Sequence, residues 1–185
     1  KSEIREDGRI HTIFTQTLTR TGRLSSISPN LQNIPARAEY SRLIRKAFVP
    51  DENSVLLSSD YSQVELRIFA HMSNATNLIQ AFIDDEDIHA KTASDIFKVP
   101  MNEVTKDMRR SAKAVNFGIL YGISSFGLSE DLGIDIATAK KFIDNYLDTY
   151  PGISEYMENK KAEAYKYGYV TTLMNRKRVI EELNN

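Results

Sequence analysis

Between residues 75 and 167 apolar residues recur at helical spacing almost without interruption, and no other feature constrains the fold as strongly. The spacing predicts helices over 75–84, 88–97, 106–121, 125–132, 136–150 and 153–167, after an earlier one carrying Val64, Ile68 and His71 or Met72. Asp135 stands where an N-cap is needed, Pro151 follows one helix, and Gly168 can stop the last. The first forty residues have a different texture. Ile10, Thr12 and Phe14 alternate with polar neighbours as in a strand, Thr21-Gly22 suggests a turn, and Ser28-Pro29-Asn30 and Ile34-Pro35 keep the chain irregular. Residues 45–50 read as a short strand end and 55–60 as a buried strand ending in Asp60; 169–173 and 178–180 read as a hairpin around Asn175. Strands first and helices after predict an α+β fold rather than a doubly wound sheet.

Composition removes several function classes. With 185 residues the chain can bury one ordinary core or two small ones. It has no cysteine, which excludes a disulfide framework, cysteine-based zinc sites and a thiol nucleophile. No apolar run approaches the roughly 18 residues of a membrane span, so no membrane partner is expected. The chain opens Lys1-Ser2-Glu3-Ile4, without an initiator Met or an apolar signal segment, and is expected to be an internal piece of a longer polypeptide. The formal net charge of -1 hides a segregation. Residues 1–50 carry nine Lys and Arg against four Asp and Glu, whereas residues 51–97 carry two against nine. Such a division suits a protein that holds a polyanion on one surface and divalent metal on the next, although clustering on an ordinary solvated surface gives the same counts.

Two constellations carry chemistry. The first is Asp60-Tyr61-Ser62-Gln63-Val64-Glu65-Leu66-Arg67, where a carboxylate at the end of an apolar segment offers hard oxygen donors and Glu65 follows about one and a half helical turns later. The plainer reading makes Asp60 a helix cap and Glu65 a surface residue. The second runs from Arg109 to Gly122. Arg109, Lys113, Phe117 and Tyr121 stand four residues apart and form one slowly winding stripe, two cations followed by two aromatics. Guanidinium and ammonium groups hold phosphate and aromatic faces stack on bases or sugars, so the stripe suits a nucleotide; an amphipathic helix with a basic solvent edge has the same spacing. Gly118 and Gly122 leave room for a ligand or another backbone. The run Asp84-Asp85-Glu86-Asp87 lacks the glycine and distal glutamate of a calcium loop and reads as a solvated helix end, with His89 just beyond it a possible phosphate contact. His11 and His71 have no partners at metal-ligand spacing.

Taken together these motifs resemble the family A DNA polymerases. Asp60 to Arg67 is similar to that family's motif A and Arg109 to Gly122 to its motif B. Thr21-Gly22-Arg23-Leu24-Ser25-Ser26, followed by Pro29-Asn30-Leu31-Gln32-Asn33-Ile34-Pro35, resembles its primer-template segment. Asp87-Ile88-His89 and Gly168-Tyr169-Val170-Thr171-Thr172-Leu173 also match, so five motifs agree in order over nearly the whole chain. Two small departures are Val64, where the family more often has isoleucine, and Asn175-Arg176-Lys177-Arg178 in place of a Gly-Arg-Arg-Arg turn.

The resemblance implies template-directed DNA synthesis, with primer-template DNA and dNTP as partners and two Mg²⁺ ions as cofactors. Asp60, with the main-chain carbonyl of Tyr61, would ligate metal; the two ions stabilise the attacking 3′-oxygen and the leaving pyrophosphate. Glu65 would fill the space of a ribose 2′-hydroxyl. Arg109, Lys113 and His89 would hold the triphosphate, and Lys113 would protonate the leaving group. Phe117 would lie against the incoming sugar, with poor use of dideoxynucleotides, and Tyr121 would hold the template side. Arg23, Asn30 and Gln32 would touch the DNA minor groove, where acceptors are common to all base pairs. Gln63, Arg67 and Arg37 complete the expected contacts.

The implied organisation is a palm portion over 1–72, a helical fingers subdomain over 73–168 and a hairpin over 169–185 that returns toward the palm. The family's second carboxylate lies in a His-Asp-Glu motif, and no His-Asp pair occurs here. The sequence is therefore expected to stop before that motif and to lack thumb and exonuclease domains, leaving it inactive without the remainder of the polypeptide. The alternative is a non-catalytic remnant that binds DNA and nucleotide. The expected location is the cytoplasm of a bacterial or phage-infected cell.

Overall fold

A computed structural model describes residues 3–35 and 39–181. The chain divides into two compact units, Lys1–Asp60 and Tyr61–Asn185. In the first, strands β1 (Ile13–Thr15) and β2 (Ser25–Ile27) form an antiparallel ribbon, with Phe14 opposite Ser26. Ser26 is buried and organises the ribbon's end: its hydroxyl bonds that of Thr12 at 2.6 Å and accepts the Leu31 amide at 2.9 Å. A short helix, α1 (Glu39–Arg45), follows. Arg9 and Asp51 are paired at 2.7 Å.

Two expectations for this unit fail. Residues 45–50 hold the end of α1 and the turn after it rather than a strand. Residues 55–60 form no strand, and Val55 and Leu57 are 86% and 91% exposed. The Val55-Leu56-Leu57 run has the composition of a buried strand, but a strand needs a neighbour for its amides and carbonyls, and no described residue pairs with it.

The second unit is helical: α2 (Val64–Met72), α3 (Thr76–Ile83), α4 (Ile88–Phe97), a 3-10 turn (Met101–Glu103), α5 (Lys106–Leu120), α6 (Ser125–Leu132), α7 (Ile136–Thr149) and α8 (Pro151–Tyr167). The hairpin β3 (Tyr169–Thr171) and β4 (Lys177–Val179) closes it, with Asn175 left-handed in the turn. Every helix expected over 75–167 is present to within two residues at each end.

The helix starts have local causes. Thr105, Ser124 and Asp135 accept hydrogen bonds from the amides of Met108, Gly127 and Thr138, and Asp87 accepts from those of His89 and Ala90. Such a cap contributes about 0.5–2 kcal/mol. Pro151 opens α8 at its first position, where the missing amide costs nothing. The apolar faces meet in one core that includes Phe69, Leu78, Ile88, Ile96, Val115, Ile119, Leu128, Tyr146 and Ile153.

The tightest backbone approach in that core is at Gly152. A Cβ built there would stand 2.5 Å from the main-chain oxygen of Ser73, so the first turn of α8 rests directly on the end of α2. Because the obstacle is backbone, Gly152→Ala forces the two elements apart. The expected cost is about 1–3 kcal/mol, read as a lower denaturant midpoint with unchanged slope.

Candidate functional site

Helices α4 and α5 pack along each other and bring the chemistry-bearing residues of the second unit together. Asp87 sits at their junction. One carboxylate oxygen accepts the amides of His89 and Ala90 at 3.0 and 3.1 Å, and the other meets Arg109 Nε at 2.7 Å. Partial burial pushes its carboxyl up, but the Arg109 guanidinium and the two amides outweigh burial and hold it below the usual carboxylate range. The acidic run at 84–87 is therefore more than a solvated helix end: its last member caps one helix and anchors the next.

His89 lies in the first turn of α4 and is only 5% exposed. Burial lowers its pKa first, and the charges of Arg109 and Lys113 lower it further, against the opposing pull of Asp87. The ring is thus neutral at physiological pH. Asn116 Nδ2 lies 3.2 Å from its Nδ1, and the Phe117 ring centroid 5.8 Å from its own. Asn116 is fully buried and also bonds Thr92 on α4: its Nδ2 donates to Thr92 Oγ1 at 3.0 Å, and its Oδ1 accepts from that hydroxyl at 3.2 Å.

Along α5, Arg109 and Lys113 are exposed, Phe117 is half-buried, and Tyr121 is exposed at the C-cap. Twelve residues at 1.5 Å each give the stripe a length of about 18 Å, comparable to a nucleotide with its triphosphate. Lys113 has no ion pair among the described residues. Gly122, at φ +73°, ends the helix, and the chain folds back so that Ile123 fills the space over Gly118; a Cβ there would stand 2.6 Å from Ile123 Cγ2. The room expected at Gly118 is therefore taken by the chain's own side chain.

At the start of α2, Gln63 is left-handed at φ 50° and partly buried, and Glu65 is half-buried in the first turn. Arg67 folds back locally, donating from Nε to the Ser62 carbonyl at 2.9 Å, with its guanidinium carbon 4.5 Å from the Phe82 ring centre. Tyr61 is exposed. In the first unit Asp60, Arg23, Asn30 and Gln32 are all exposed, and Asn30 Oδ1 accepts the Gln32 amide at 2.9 Å, which fixes that turn. Arg37 lies outside the described residues.

Among the described residues no three His, Cys, Asp or Glu side chains gather to hold a metal ion. Asp60 and the Tyr61 carbonyl offer three oxygen atoms where each Mg²⁺ demands near-octahedral coordination, so these residues alone do not fit a two-ion site. No helix among them is long and apolar enough to cross a membrane.

Sequence reasoning missed Asn116 and Thr92. The signal was a polar residue on the apolar stripe that Ala112, Val115 and Ile119 define, which a buried site can hold only with its hydrogen bonds satisfied.

The family model for DNA polymerase family A matches residues 1–185. The chain is 58% identical to DNA polymerase I of Bacillus subtilis (strain 168) over 178 residues, 96% of this chain and 20% of that protein. It is 56% identical to DNA polymerase I of Streptococcus pneumoniae serotype 4 over 181 residues, 97% of this chain and 21% of that protein. It thus spans about a fifth of the length of the curated relatives it matches. Among solved structures, the polymerase domain of Pol1 from M. smegmatis, in complex with DNA primer-template and dNTP, superposes with a TM-score of 0.89. That match has 44% identity and covers all of this chain and 33% of that one.

The depressed pKa of His89 has a consequence for stability. The unfolded chain takes up a proton near the ordinary histidine value of 6.5, while the folded chain resists it. Stability is therefore full above that pH and falls as pH drops from 6.5 toward the folded value. His89→Gln is expected to flatten the decline between neutral pH and about pH 5, measured by denaturant titrations across that range.

Proposed function

Because this chain belongs to DNA polymerase family A, we propose that it forms the part of a template-directed DNA polymerase that grips the incoming dNTP and the nascent primer-template. In this reading residues 1–72 are a palm portion and 73–168 the fingers, with 169–185 returning toward the palm, and the enzyme works on DNA in the bacterial cytoplasm. The observation that carries the proposal is the α5 stripe, where two cations are followed by an aromatic ring in the order of a triphosphate and its sugar, with the buried neutral His89 of α4 beside that ring.

Each group has a distinct task. Arg109 and Lys113 supply positive charge to the phosphates, and Arg109 enters the site with its Nε held by Asp87, so its remaining N–H groups are aimed rather than free to search. Lys113 also carries the proton that the departing pyrophosphate takes up. His89, being neutral, donates one ring N–H. Phe117 bears on the sugar, Glu65 closes off the 2′-hydroxyl space, Gln63 lines the same end of α2, and Tyr121 holds the template side. Arg23, Asn30, Gln32 and Arg37 contact primer and template.

Divalent metal is general in this family, and here Asp60 with the Tyr61 carbonyl supplies only part of a coordination shell. Further carboxylates are required for chemistry, so the 185-residue chain by itself is expected to bind dNTP without extending a primer. A second reading is a remnant that binds DNA and nucleotide without catalysis in any context.

Lys113→Ala in the intact polymerase polypeptide is expected to raise the dNTP Kd and lower the rate of incorporation, each at least about tenfold, with little change in stability because Lys113 is exposed. Equilibrium titration and single-turnover extension measure the two effects. Unchanged values for both would remove the stripe from the nucleotide site.

A further inference from the structure

We propose that Asn116 is a positioning residue that fixes the His89 ring in one tautomer, with Nδ1 unprotonated and the proton on Nε2. The argument starts from Asn116's burial. A fully buried amide must place both N–H bonds, and two acceptors lie within reach of Nδ2: Thr92 Oγ1 at 3.0 Å and His89 Nδ1 at 3.2 Å. Its Oδ1 takes the Thr92 hydroxyl at 3.2 Å. Turning the amide over would present Oδ1 to His89 and leave Nδ2 only Thr92, stranding one buried N–H. The arrangement that satisfies every Asn116 atom is the one that makes Nδ1 an acceptor.

A neutral imidazole carries one proton, so it then resides on Nε2. The charged groups around the ring act in the same direction: Arg109 and Lys113 oppose a second proton, and only Asp87 favours one. Thr92 on α4 and Asn116 on α5 thus convert the packing of two helices into the choice of a donor. An imidazole with the other tautomer would turn a lone pair, rather than an N–H, toward an anionic oxygen. This step rests on the phosphate-binding role proposed for His89, whereas the tautomer itself is a property of the protein without nucleotide.

The test is a two-bond ¹⁵N–¹H correlation spectrum of the full chain with ¹⁵N-labelled histidine, at neutral pH and without nucleotide, His11 and His71 being assigned by substitution. A pyridine-type Nδ1 and a pyrrole-type Nε2 at His89 are expected; the reverse pattern overturns the inference. In Asn116→Asp an acceptor-only carboxylate replaces the amide, and Nδ1 is expected to become protonated; a folded variant that keeps a pyridine-type Nδ1 overturns it as well. If that variant does not fold, Asn116→Leu, which keeps the side-chain branching but neither donor nor acceptor, is expected to show averaged shifts of the two tautomers, and an unchanged spectrum counts against the inference. In dNTP titrations Asn116→Leu is expected to weaken binding about two- to tenfold, the range of one lost hydrogen bond, and to have no further effect in a His89→Ala background. A loss that persists without His89 shows that Asn116 acts by another route and overturns the positioning role. The expected tautomer together with unchanged affinity in His89→Ala supports the inference and refutes the phosphate role of His89 instead.

Discussion

The contact between Asp87 and Arg109 joins the two helices on which the candidate site depends. One carboxylate ends the search of α4 for an N-cap and, through its second oxygen, holds the guanidinium at the start of α5. Exposed ion pairs contribute little as a rule, about 0–1 kcal/mol. This one differs in its connections, since the same group satisfies two backbone amides and is itself partly withdrawn from water. Its role is geometric: it ties the N-terminus of α4, where His89 lies, to the cationic start of α5.

Charge and burial are arranged in opposition along α5. The side chains that meet solvent most fully along α5 are charged, Lys106, Asp107, Arg109, Arg110 and Lys113, while its buried face is Ala112, Val115, Asn116 and Ile119. Burial first, and then the charges of Arg109 and Lys113, keep the His89 ring neutral. A neutral donor adds direction beside Lys113, because it can engage one oxygen at one angle where an ammonium acts as a point charge.

The helices were legible because their causes are local. Ile88–Phe97 and Ser125–Leu132 are bounded by caps that lie within three residues of their starts, and the hairpin around Asn175 follows from one residue able to adopt φ 60°. The stripe from Arg109 to Tyr121 was legible for the same reason, since one helix sets its spacing. What the sequence could not carry was pairing between distant segments. Val55-Leu56-Leu57 has strand composition, but whether it becomes a strand depends on a neighbour, and none among the described residues provides one. Residues 45–50 were misread because Glu39–Arg45 is a short helix with few periodic positions to reveal it. Asn116 escaped notice as a site residue because its partners, Thr92 and His89, are more than twenty positions away.

The exposed run at 55–57 bears on how the chain behaves in solution. Three consecutive exposed aliphatic residues with no partner strand among the described residues are the kind of segment that associates between molecules, and the charges of Asp51, Glu52 and Asp60 flank it. Asp60 thus stands where a gatekeeping charge would stand at the end of that run. A neutral substitution there removes a gatekeeping charge, so such a variant is expected to self-associate at lower concentration than the parent chain.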